Sequence, residues 1–184
     1  VLVPGARGLP GETRDRLLGQ VARAGAVASI LTLVGVGLML LRQLAEFRDP
    51  FVPLSEDLSL LLGSAWGTAW YTAVAAGGVA VLGFGVAAVG RAGGWWVATG
   101  AVLSLSVFPG LVGHANAVEG PRLLALAADA LHVLGAGAWI GGLAVVLLLE
   151  WRTRSAHGAS SVLPALVPAF SPVAMVSVGV LVLT

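Results

Sequence analysis

Residues 122–150 read RLLALAADALHVLGAGAWIGGLAVVLLLE. A helical bilayer crossing needs about 20 mainly apolar residues, and this stretch supplies them with two interior exceptions, Asp129 and His132. Spaced by three, the pair occupies neighbouring positions on one helical face, which Ala136, Trp139 and Leu143 continue. An ionisable group at the centre of a membrane helix costs about 3 kcal/mol or more unless it meets a partner, water or a ligand. That cost makes Asp129 and His132 the leading candidates for function.

The rest of the chain is as apolar as this stretch. A soluble domain carries roughly 25% charged residues, whereas here 10% are charged and 58% hydrophobic, with a mean hydropathy of +0.96. The apolar runs are too long for barrel strands and do not alternate, so the expected class is all-α, a polytopic transmembrane helix bundle. The bilayer is its first partner. A net charge of +1 gives no bias toward nucleic acid. No cysteine occurs, which excludes disulfides, thiolate metal sites and iron–sulfur clusters within this chain.

Outward from residues 122–150, about five spans are expected, over 21–41, 66–89, 95–113, 122–149 and 170–184. Residues 1–20 form a polar approach segment with an interfacial helix near GETRDRLLGQ. Charges and prolines between Glu46 and Asp57 forbid a crossing there, and LSLLLGSAW (58–66) reads as a short interfacial helix. GRAGG (90–94) is a tight connection, Pro109-Gly110 interrupts the third span, and residues 150–161 read as a polar loop. The fifth span is expected to start near Phe170, after Pro164 and Pro168. The closing run VAMVSVGVLVLT is too short to cross, so the last span is expected to be truncated and the chain to be a piece of a longer protein.

Positive charge sets the expected orientation. Arg7, Arg14, Arg16, Arg23, Arg91, Arg152 and Arg154 fall on one side of these spans, and Arg42, Arg48 and Arg122 on the other. The N-terminus of the chain is therefore expected in the cytoplasm and the 114–121 loop outside.

His132 lies about ten residues, or roughly 13–15 Å, into its helix from the outer end. His114 ends the preceding span across a short loop, and the two imidazoles approach one another if that span bends inward at Pro109-Gly110. Imidazole ligates copper, zinc and haem iron. Asp129 serves either as a third ligand or as the acceptor that fixes the His132 tautomer. The plainer reading has His132 bonded to a backbone carbonyl and His114 as an interfacial loop residue. Trp139 lies on the histidine face and is expected to wall the site. Met39, at the outer end of the first span, offers a thioether that suits Cu(I), or is apolar filler. Gly137 and Gly141, on another face, are expected to serve helix packing. Trp66, Trp70 and Trp95-Trp96 read mainly as an interfacial aromatic belt. No Ser/His/Asp set, phosphate-binding loop or hydrolytic carboxylate pair is present, so no enzyme activity is expected.

Several stretches, in order, resemble the copper resistance protein D family of the bacterial inner membrane: LGSAWGTAWYTAV (62–74), GHANA (113–117), ADALHVLGAGAWIGGL (128–143) and FSPVAMVSVGVLVLT (170–184). The resemblance covers about residues 60–184. It implies a multi-pass inner-membrane protein of copper transport or resistance, with His114 and His132 copper-linked and Asp129 beside them. It also implies a periplasmic copper-binding partner or domain, and further helices beyond Thr184. With Met39 and Met175 the only methionines, a Met-rich Cu(I) relay is not expected. The family's distant likeness to b-type cytochromes leaves haem b, held by His114 and His132 in an electron-transfer subunit, as the alternative. A structural subunit of a larger membrane complex is the third reading.

Overall fold

The computed structural model describes residues 11–113, 121–157 and 161–184. Among them the chain forms six helices: α1 (Gly11–Phe47), α2 (Leu54–Gly63), α3 (Ala65–Ala88), α4 (Gly93–Val112), α5 (Arg122–His157) and α6 (Leu163–Leu183). All but α2 are long and apolar enough to cross a membrane. The fold is thus the expected all-α bundle of a multi-pass membrane protein.

Several helix ends lie outside the expected boundaries. α1 has 37 residues, so GETRDRLLGQ is its first turns and not a separate interfacial helix. α5 runs on through 150–157, leaving a short connection to α6. α6 begins at Leu163, seven residues before Phe170, and its 21 residues suffice to cross. Pro164 sits in the first turn, where its missing N–H matters least. Pro168 and Pro172 follow at intervals of four on an exposed face, where Pro168 cannot donate to Pro164 O nor Pro172 to Pro168 O. Likewise, α4 continues through Pro109-Gly110 to Val112.

α3 packs most extensively on α4 and α1, while α5 packs on α6 and α4. Small residues make the α3–α4 contact. Gly83, Ala87, Gly94 and Ala98 are all buried. A Cβ at Gly94 would stand 2.4 Å from Ala87 N and 2.5 Å from Gly83 O. The turn joining the two helices needs Gly90, whose φ of 83° disfavours any side chain. Val36, Ala69, Ala73 and Phe108 form the α1–α3–α4 core, with Met39, Trp70 and Leu105 against it. Trp70 is no mere belt residue, because its Nε1 donates to Val36 O of α1 at 2.9 Å.

The α5–α6 hairpin closes differently. Val146, Leu149, Leu166 and Phe170 form a second cluster, joined by Leu17 and Val21 of α1. The Glu150 carboxylate, 8% exposed, accepts from Ser161 Oγ at 2.8 Å and from Val162 N–H at 2.9 Å, and also pairs with Arg154. It thereby takes up an N–H at the start of α6 that has no partner inside the helix. The α5 glycines that touch α6 are Gly135 and Gly142, seven apart: a Cβ at Gly142 would lie 2.3 Å from the Phe170 ring. At Gly137 and Gly141 nothing among the described residues lies within 4 Å, so the packing face is not the one their spacing suggested.

Gly94→Val should destabilise the bundle by about 1–3 kcal/mol, because the new side chain can be housed only by separating two backbones. Gly100→Ala, at a site with open space around it, should be neutral. Thermal unfolding in detergent, followed by circular dichroism, checks both. Glu150→Ala should cost about 1–3 kcal/mol in the same assay, since it strands a buried N–H and a hydroxyl.

Candidate intramembrane site

Asp129 and His132 leave α5 toward different neighbours. Asp129 is half-buried and faces α4. A Cβ on Gly110 would stand 2.9 Å from Asp129 Oδ2 and 3.0 Å from Leu126 Cδ2. The carboxylate therefore lies against the α4 backbone in the space that the missing side chain leaves. Pro109 precedes it inside the helix and cannot donate to Leu105 O. The Pro109-Gly110 pair thus gives room for an acid and does not end the span. None of the four ion pairs among the described residues involves Asp129; they are Arg16–Glu12, Arg42–Glu46, Arg48–Asp57 and Arg154–Glu150.

His132 faces α6. Its Nδ1 stands 3.1 Å from Thr184 Oγ1. The Thr184 hydroxyl also donates to Val180 O at 2.8 Å. A hydroxyl has one proton, so with that proton on Val180 the imidazole must be the donor to Oγ1. In the tautomer with its proton on Nδ1, the ring presents an Nε2 lone pair. Metal-binding imidazoles are commonly oriented in this way by a bond from the other ring nitrogen. The ring is exposed. The plainer reading of His132 is thus half met: it is hydrogen-bonded, but to a hydroxyl and not to a carbonyl.

The other candidates are spread out. His114 lies outside the described residues. Trp139 is 38% exposed, two turns beyond His132. Met39 packs into the α1–α3–α4 core. Among the described residues no group of three or more His, Cys, Asp or Glu side chains is placed to hold a metal. Asp129 and His132 alone supply two donors from one helix, aimed toward α4 and α6.

Two site residues escaped the sequence reading. Thr184 had only its place at the end of an apolar run, and Gly110 was read as part of a kink. A cleft of about 390 Å³ lies at the same end of the bundle, lined by Trp66, Thr68, Thr72, Gly113 and Arg122. Trp66 Nε1 is buried there without a hydrogen-bond partner among the described residues. No family model matches the sequence, and neither a curated protein nor a solved structure matches it.

Thr184→Val removes the acceptor that holds the Nδ1 proton. The His132 tautomer should shift toward Nε2–H, read as an exchange of the two ring ¹⁵N shifts, with helicity unchanged. Gly110→Ala should push the Asp129 carboxylate off α4 and lower the melting temperature.

Proposed function

We propose that the chain is a non-enzymatic copper-handling protein of a bacterial inner membrane, with its N-terminal end cytoplasmic. Copper, as cargo, is taken up from the outer side through His132, Asp129 and His114. The observation that carries this reading is the His132–Thr184 bond, because it leaves Nε2 as an oriented lone pair in an apolar setting. The Asp129 carboxylate, one turn away on the same helix, supplies negative charge that offsets the ion's own. The ordered likeness to the copper resistance protein D family supports copper over zinc. The arginine balance supports the orientation, and a periplasmic copper-binding protein is the partner that would deliver the metal.

Binding releases protons from any protonated imidazole, so acid weakens it. Copper affinity should therefore fall as the pH is lowered, because a protonated imidazole cannot ligate. Metal analysis of the purified full chain should find copper and no Soret band. His132→Ala should lower copper affinity at least about tenfold, and Asp129→Asn less. A Soret band lost in His132→Ala would replace this reading by haem b and electron transfer. Copper content that ignores both the substitution and pH would leave a structural subunit of a larger complex.

A further inference from the structure

At the opposite, arginine-rich end, α1 and α5 barely touch and a cleft of about 500 Å³ opens between them. Its mouth holds Gln20 and Arg23 of α1 and Arg152 of α5, and its depth holds Val27, Leu31 and Leu148. No acidic residue lines it. Glu150 is engaged with Arg154, Ser161 and Val162, and Glu12 with Arg16, while Asp15 stands about two turns before Arg23 on α1, beside Arg14 at a separate cleft. Arg23 and Arg152 belong to none of the ion pairs among the described residues.

Depth along α1 fits the bilayer. Arg23 and Arg42 are nineteen residues apart, about 28 Å on a helix, close to a hydrocarbon core of about 30 Å. Arg23 therefore stands at headgroup level, while Leu31, about 12 Å further along, stands among the acyl chains. Val27 and Leu31 are 57% and 65% exposed, so the cleft is open to lipid along its length. Guanidinium pairs over an apolar groove match an anionic phosphate carried on hydrocarbon.

We propose that this cleft is a binding site for an anionic phospholipid, its phosphate held between Arg23 and Arg152 and one acyl chain lying along Val27, Leu31 and Leu148. A free phosphate ion would meet the same two guanidiniums but would leave the apolar floor uncovered. The site is independent of copper, and its failure would not touch the metal reading.

Native mass spectrometry of the detergent-purified full chain tests it with phosphatidylglycerol, phosphatidylcholine and inorganic phosphate as separate probes. Phosphatidylglycerol should be retained about tenfold over phosphatidylcholine, and Arg23→Gln/Arg152→Gln should abolish that preference with helicity unchanged. Arg23→Lys/Arg152→Lys should keep most of it, and Arg42→Gln, at the other end of α1, all of it. Equal retention of both lipids, or wild-type preference in the double glutamine variant, overturns the proposal. So does displacement of phosphatidylglycerol by millimolar inorganic phosphate, which would make the cleft a site for the free ion.

Discussion

Close approach of backbones is the constraint on which this bundle depends. Between helices in lipid, burying apolar side chains gains nothing, because hydrocarbon surrounds them either way. Dispersion contacts and the few polar bonds must hold the helices, and both need short distances. Gly83 against Gly94 gives α3 and α4 such a contact, and Gly135 and Gly142 give α5 and α6 another. Where these glycines fall decides which helices pair, and so which side chains can meet.

The candidate site follows the same rule. Gly110 admits Asp129 to the α4 backbone much as Gly94 admits α3. His132 meets Thr184 because the α5–α6 hairpin is fastened at its far end by Glu150 and along its length by two glycines. The acid and the imidazole share a helix face, yet each is settled by a different neighbour. What looks from the chain like one pair is, in space, the meeting of three helices.

The spans were legible because runs of Leu, Val and Ala about 20 residues long have one solution in a membrane. Their ends were not. Charged residues and prolines look like loops, yet Arg14, Glu150 and Pro168 all lie within helices, since a helix that leaves the lipid can carry charge and an outward-facing proline breaks no contact. The packing face of α5 was misread for a related reason. Gly137-x-x-x-Gly141 is the more recognisable spacing, but partner geometry selects Gly135 and Gly142, which are seven apart. Asp129 and His132 stood out at once, because charge in hydrocarbon is conspicuous. Thr184 did not, because a threonine is at home in a membrane helix and only the third dimension makes it a partner. Trp70 was likewise hidden, since a tryptophan that bonds across helices and one that floats at the interface have the same signature in the chain.

α1 is about 55 Å long, nearly twice the thickness of the hydrocarbon layer. Its first turns therefore stand in water, and Leu17 and Val21 carry the α5–α6 cluster up to the boundary with them. The molecule consequently has two solvents and two kinds of cohesion. Its helix contacts within the bilayer answer to lipid thickness and composition, while the charged first turns of α1 answer to salt.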